Sequence, residues 1–210
     1  MIHDRQHAGR LLAEKLAPII KERKCIILAI PRGGVIVGDE MARILGLPLD
    51  VIISKKITPP DYPEYAIGAV TYDGVIYYGN DWSRYSDDPR FEHEVVKKKN
   101  EVARQILAYR GNADYNFGDA TVILTDDGIA TGSTVCAILK WLSQKHVNDV
   151  ILATPVIPYA TSEILKQFGI KIVAIEMPAD FTSVGQFYRK FDQIPDQIVV
   201  NILAKYRKST

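Results

Sequence analysis

The stretch Val122-Ile123-Leu124-Thr125-Asp126-Asp127-Gly128-Ile129-Ala130-Thr131-Gly132-Ser133-Thr134 decides how this chain is read. Its first four residues are apolar or β-branched, and they end in two adjacent carboxylates. A glycine-bearing turn follows, and then a run of hydroxyls opens an amphipathic segment over 134–145. This order predicts the carboxyl end of a buried strand feeding the start of a helix. Unpaired N–H groups at a helix start, with the positive end of its dipole, favour an anion.

Outward from this stretch the alternation repeats. Residues 25–30 form a continuous apolar run of strand length, as expected for a strand covered on both faces. Helical spacing follows over 34–45, with Gly46 as its stop, and 49–53 is the next buried strand. Beyond the central stretch come a strand at 150–154, a helix at 161–168 stopped by Gly169, and a strand at 172–176. Residues 5–22 carry helical spacing through Ala8, Leu12, Leu16, Ile19 and Ile20. The expected fold is α/β: an open, doubly wound, mainly parallel five-stranded sheet flanked by helices.

Between the two halves the pattern breaks. Residues 57–64 are polar and proline-rich, and 66–72 and 75–78 flank Asp73-Gly74, a hairpin signal. Asp87, Asp88 and Pro89 open a long helix that runs to about Arg110 and closes at Gly111. The expectation is a single domain over 1–210, with 57–88 as a hairpin insertion. Residues 178–210 are expected to form a cap segment packing with the first helix.

Composition excludes several classes. Of 210 residues, 47% are hydrophobic and 24% charged, which is ordinary for a globular chain and rules out disorder or a collagen-like repeat. Twenty-six basic against 25 acidic side chains leave a net charge of +1, with no global pull toward nucleic acid or membranes. Two cysteines, Cys25 and Cys136, lie in apolar segments and read as small hydrophobes in a reducing compartment. The longest apolar run is far short of the ~20 residues of a membrane helix. His3, Asp4, Arg5 and Arg10 do not suit a signal peptide, so a cytoplasmic address is expected.

The central stretch is not a Walker loop, because three residues rather than four separate Gly128 from Gly132 and no lysine follows. Nor does Ser133 sit in a G-x-S-x-G elbow. Singly, these residues are ordinary turn and cap residues. In this order they describe a site with two kinds of partner. Carboxylates beside a phosphate repel it, so they must gain elsewhere. A sugar diol supplies that gain through charge-assisted hydrogen bonds, and the acids also steady positive charge developing on the ring. Phosphate donors and diol acceptors a few residues apart describe a ribose phosphate.

Asp126-Asp127-Gly-Ile-Ala-Thr-Gly-Ser-Thr resembles the signature of the type I phosphoribosyltransferases. The resemblance implies that Asp126 and Asp127 hold the ribose hydroxyls of phosphoribosyl pyrophosphate. It implies that Ala130, Thr131, Gly132, Ser133 and Thr134 form the 5-phosphate loop. It further implies a pyrophosphate loop at Pro31-Arg32-Gly33-Gly34, with a non-proline cis peptide there, and a basic pair at Lys55-Lys56. Arg32 has a fork suited to phosphate oxygens. Lysines at a strand end are equally at home in water. The 57–78 region corresponds to the family's lid, with Tyr62, Glu64 and Tyr65 as candidate contacts, although an aromatic hairpin packed on the core reads as well.

The segments Asp4-Arg-x-x-Ala8-Gly9, Glu64-x-Ala66-x-Gly68-Ala69 and Val184-Gly-x-Phe-Tyr188 are similar to a less characterised branch of that family. Ala130 stands where some 6-oxopurine enzymes carry an acid, which leaves the acceptor open. Phe181, Phe187 and Tyr188 are candidates to stack on a base, or to form the core of the cap. His3 and His7 lie one turn apart without the glutamate of H-E-x-x-H and read as a surface pair. Lys97-Lys98-Lys99, with Glu92, Glu94 and Glu101 nearby, reads as a solvated face.

The expected activity is transfer of a phosphoribosyl group to a small nitrogen acceptor, a nucleobase, with release of pyrophosphate. The alternative is a non-catalytic regulator that binds the same donor. So anionic a donor calls for Mg2+, held mostly by substrate oxygens and water, with Asp126 and Asp127 reaching it through water. The resemblance implies a homodimer.

Overall fold

In the computed structural model, which describes residues 1–63 and 65–207, the strands fall into two separate sheets. In chain order the elements are α1 (Arg5–Leu16), β1 (Cys25–Ala29), α2 (Gly33–Leu45), β2 (Leu49–Val51), β3 (Ser54–Ile57), β4 (Gly68–Thr71) and β5 (Ile76–Tyr78). There follow α3 (Pro89–Arg110), β6 (Thr121–Thr125), α4 (Ser133–Gln144), β7 (Val150–Val156), α5 (Tyr159–Lys166), β8 (Lys171–Glu176) and α6 (Asp196–Arg207). Short 3₁₀ turns lie at Trp82–Arg84 and Val184–Phe187. The chain divides into two units, one made of Met1–Ile52, Tyr115–Thr131 and the chain from Val147 onward, the other of Ile53–Asp114 and Gly132–His146.

The first unit holds the five-stranded sheet, in the order β2-β1-β6-β7-β8 with every neighbour parallel. Every residue of β6 and β7 is buried, which is why both read as unbroken apolar runs. β8, at an edge, is partly exposed and carries Lys171 and Glu176, charges suited to an edge strand. α1 begins where the Asp4 carboxylate accepts the His7 N–H at 2.8 Å, and its buried stripe is Arg5, Ala8, Gly9, Leu12, Ala13 and Leu16. The helix stops at Leu16, six residues short of the expected end at 22. Pro18 has no N–H to continue the ladder, and Ile19 turns back to donate to the Leu16 carbonyl at 2.8 Å.

Residues late in the chain meet residues early in it. Ile2 pairs with Tyr188 in a parallel bridge, and the N–H groups of Arg189 and Lys190 donate to the carbonyls of Ile2 and His3, each at 2.9 Å. α6 packs against α2 and β2, where the Tyr206 hydroxyl donates to the Asp39 carboxylate at 2.7 Å.

The second unit is built on the antiparallel sheet β3-β4-β5, against which α3 and α4 pack. Ile57, Ile67, Val70 and Phe91 form its core, with Trp82 and Tyr85 packed on it. Lys55 and Lys56, expected at the end of the second parallel strand, instead lie in β3, opposite Val70 and Ala69. A four-residue strand whose partner lies more than ten residues away leaves no local periodicity. Asp73-Gly74 does turn the chain between β4 and β5, with Gly74 at φ 88°. Asp73 also accepts from Trp141 Nε1 at 2.6 Å and Thr71 Oγ1 at 2.8 Å, and Lys140 Nζ reaches the Ile76 carbonyl at 2.9 Å, so the hairpin is fastened to α4. α3 has the expected Asp88 cap and Gly111 stop. Among the described residues no helix is long and apolar enough to cross a membrane.

Candidate functional site

Strand order reverses between β1 and β6: from β1 the chain moves outward to β2, from β6 outward to β7 and β8. In an open parallel sheet, the crevice at the carboxyl ends of the two strands flanking such a reversal binds ligands. Both loops picked out from the sequence leave from this place. Ala29 lies opposite Thr125, and the Ile30 N–H donates to the Thr125 carbonyl at 2.8 Å, so Pro31-Arg32-Gly33-Gly34 and Asp126-Asp127 begin side by side. The Pro31–Arg32 peptide is cis.

The contact between the two loops needs glycine. A Cβ at Gly33 would fall 1.8 Å from Asp127 Oδ2, and one at Gly34 would fall 2.8 Å from Asp126 Cα. The two backbones are thus in direct contact. The Asp127 N–H donates to Asp126 Oδ1 at 2.8 Å, fixing the first acid against the start of the turn.

Asp127 is held more tightly than the sequence suggested. Arg5 Nε donates to its Oδ2 at 2.7 Å, and the side chains are only 10% and 16% exposed. Arg5 Nη1 donates to the Asp192 carbonyl at 2.8 Å, and the guanidinium lies 3.9 Å from the centre of the Phe191 ring. Arg5 was not among the residues singled out for chemistry. The signal was present, since a charged residue stands on the apolar stripe of α1, where it needs a buried partner.

The loop after the acids is tied at three points. The Tyr188 hydroxyl donates to the Asp127 carbonyl at 2.7 Å, the Ile129 N–H donates to the Val156 carbonyl at 2.8 Å, and Thr161 Oγ1 donates to the Ala130 carbonyl at 2.7 Å. Val184 closes over Gly128, where a Cβ would come within 2.3 Å of its Cγ1. Burial, and then the Asp127 charge, push the Tyr188 phenol well above its ordinary range, so it stays a donor. Tyr188, read from the sequence as a candidate base-stacking ring, is buried and has its hydroxyl spent on the loop.

The other candidates take various places. Arg32, at the start of α2, is half exposed and pairs loosely with Asp196 at 3.6 Å, a contact of the kind worth only about 0–1 kcal/mol. Phe187 stacks on Phe181 with ring centres 5.9 Å apart. Thr131 is exposed in the first unit, whereas Gly132, Ser133 and Thr134 begin the second unit's part of the chain. There Gly132 adopts φ 77° as the N-cap of α4 and offers no side-chain cap, and Ser133 is buried in the first turn. Lys55 and Lys56 stay in β3, and Tyr62 and Tyr65 are exposed in the segment before β4, with the Tyr65 hydroxyl donating to Asp81. Glu64 lies outside the described residues. Lys97 and Lys98 pair with Glu94, the latter also with Glu101, as expected of a solvated face. His7 Nδ1 accepts the His3 N–H at 3.0 Å within the first turn.

Among the described residues no three His, Cys, Asp or Glu converge to hold a metal ion. The acids at the reversal point are two, and one is engaged by Arg5.

Comparison with known proteins agrees with this geometry. The sequence profile described as the phosphoribosyl transferase domain matches residues 1–189. The crystal structure of TT1426 from Thermus thermophilus is 36% identical, covers 98% of both chains and superposes with a TM-score of 0.79. A Mycobacterium tuberculosis H37Rv protein named "Putative phosphoribosyl transferase" is 34% identical over 206 residues, which is 97% of this chain and 46% of that protein. The chain thus spans about half the length of the curated relative it matches.

Proposed function

This chain belongs to the phosphoribosyl transferase domain family, and from that premise we propose that it transfers the phosphoribosyl group of phosphoribosyl pyrophosphate to a nitrogen acceptor, a nucleobase, with release of pyrophosphate. The observation that carries this reading is the meeting of two loops at the strand reversal: the acids Asp126 and Asp127 packed directly on the glycines Gly33 and Gly34.

The chemistry follows from these groups. Departure of pyrophosphate from the anomeric carbon leaves positive charge on the ribose ring. Asp126, held by the Asp127 N–H, accepts from the ribose hydroxyls and steadies that charge. Asp127, paired with Arg5, shares its oxygens between the guanidinium and the ribose. Gly33 and Gly34 bring backbone donors close to the leaving group, and Arg32 exchanges its loose contact with Asp196 for phosphate oxygens. Residues 130–134 supply amides and hydroxyls to the 5-phosphate. Magnesium, bound through donor oxygens and reached by Asp126 through water, would neutralise part of the pyrophosphate charge.

The test is turnover. The full chain is incubated with magnesium, phosphoribosyl pyrophosphate and a panel of purine and pyrimidine bases, and pyrophosphate release is followed. Release with at least one base supports the transferase. Saturable binding of the donor without release across the panel would overturn it in favour of a donor-sensing regulator, and absence of donor binding would overturn both.

A further inference from the structure

A loop that receives a phosphate must turn its carbonyl oxygens away from it, because each carries partial negative charge. Between Asp127 and Thr131 this chain has a specific device for doing so. The Asp127 and Ala130 carbonyls each accept a hydrogen bond from a buried hydroxyl, Tyr188 and Thr161 respectively, each at 2.7 Å. Those hydroxyls come from separate elements, the segment just after the Val184–Phe187 turn and the first turn of α5. Thr161 is 7% exposed and Tyr188 6%, so neither bond is a casual surface contact. The N–H of Ile129, between them, is committed to the Val156 carbonyl at the end of β7.

In a planar trans peptide the N–H points opposite to the C=O of the same unit. The only cis bond among the described residues is Pro31–Arg32. Pinning the Asp127 carbonyl therefore aims the Gly128 N–H away from Tyr188, and pinning the Ala130 carbonyl aims the Thr131 N–H away from Thr161. We propose that Thr161 and Tyr188 are positioning residues, which hold the Gly128 and Thr131 amides toward the anionic sugar ligand. This rests on the reading of the 126–134 stretch as the phosphoribosyl site and adds two residues remote from it in sequence. The gain is preorganisation: donors already in place cost nothing to reorient when the anion arrives.

The experiment uses ribose 5-phosphate as probe, with calorimetric affinity and backbone amide shifts measured on the full chain. The variants are Thr161→Val, Thr161→Ser and Tyr188→Phe, with folding checked by circular dichroism. The wild type is expected to bind and to shift the Gly128 and Thr131 amides on titration. T161V is expected to bind roughly 5- to 10-fold more weakly, as for loss of one neutral hydrogen bond, with the Thr131 shift diminished and the Gly128 shift kept. Y188F is expected to do the reverse at those two amides, and T161S to restore wild-type affinity within about twofold.

A merely structural role would lower stability without this residue-by-residue split. Wild-type binding that T161V leaves untouched, or loss that T161S fails to restore, overturns the inference alone. A wild type that binds neither ribose 5-phosphate nor phosphoribosyl pyrophosphate overturns the proposed function, and this inference with it. If Y188F does not fold, the T161V and T161S pair decides the matter.

Discussion

Arg5 and Asp127, 122 positions apart in sequence, form a nearly buried ion pair with Nε 2.7 Å from Oδ2. The guanidinium also binds the Asp192 carbonyl and stacks on Phe191, so one side chain joins the first turn of α1, the acidic turn and the chain beyond residue 187. Asp127 therefore has a structural duty, as the anchor of this junction, beside the ligand-facing duty proposed for Asp126.

The first prediction separates those duties. Arg5→Gln leaves a buried carboxylate without its cation and should cost about 3–5 kcal/mol in urea unfolding. Asp126→Asn keeps an oxygen for the Asp127 N–H, so its stability should stay within about 1 kcal/mol of wild type. Its turnover should fall steeply, because the charge that matters in the transition state is gone. Indistinguishable unfolding curves for R5Q and wild type would refute the anchoring role.

The second prediction concerns contact between the loops. In Gly33→Ala the new methyl meets the Asp127 carboxylate, which Arg5 prevents from moving aside. A cost of about 1–3 kcal/mol is expected, together with weaker ribose 5-phosphate binding. In Gly128→Ala the nearest atoms to the new methyl are those of the Val184 side chain, while the residue's φ of 159° adds strain of its own, so adding Val184→Ala should recover part but not all of the loss. The double-variant comparison uses thermal unfolding, and no recovery would mean that the obstacle lies in the backbone.

A third prediction addresses the hairpin β4–β5. Asp73 takes the indole N–H of the buried Trp141 at 2.6 Å. Asp73→Ala should destabilise the protein by about 1.5–3 kcal/mol, the range for a hydrogen bond to a charged group, and Asp73→Asn by less. Denaturant unfolding followed by tryptophan fluorescence reads both. If the 57–88 segment moves as a lid, the hairpin within it does so with α4, and hydrogen exchange of the Ala69 and Val70 amides should then track that of α4. Independent exchange would place any lid motion in the residues before β4.

Much of the fold was legible because its signals are local. The runs at Cys25–Ala29 and Thr121–Thr125 announce strands buried on both faces, and Gly46, Gly111 and the Asp88-Pro89 pair mark helix ends by their own backbone preferences. The acidic turn stood out because two adjacent carboxylates at a strand end, followed by a glycine-bearing turn and a hydroxyl-rich helix start, form an uncommon order of residues. What failed was non-local. β3 exists only because Ser54–Ile57 finds Gly68–Thr71, and nothing in four residues with two lysines signals that. The apolar spacing continues through Ile19 and Ile20 although Pro18 ends the helical ladder before them, so spacing and backbone chemistry disagree there. Thr161 and the bracing role of Tyr188 leave no periodic trace, because a hydroxyl bound to a distant backbone carbonyl follows no sequence pattern, and a charge on the apolar stripe of α1 does not by itself name Asp127 as the partner of Arg5.

The pairing of Ile2 with Tyr188, and of Arg5 with Asp127 and Asp192, has a consequence for the chain during synthesis. Translation delivers the acidic turn some sixty residues before Tyr188, the hydroxyl that braces it, emerges from the ribosome. All five strands of the parallel sheet precede Tyr188 in the sequence, so the hydroxyl that braces the acidic turn is synthesised after the whole of the sheet that carries that turn.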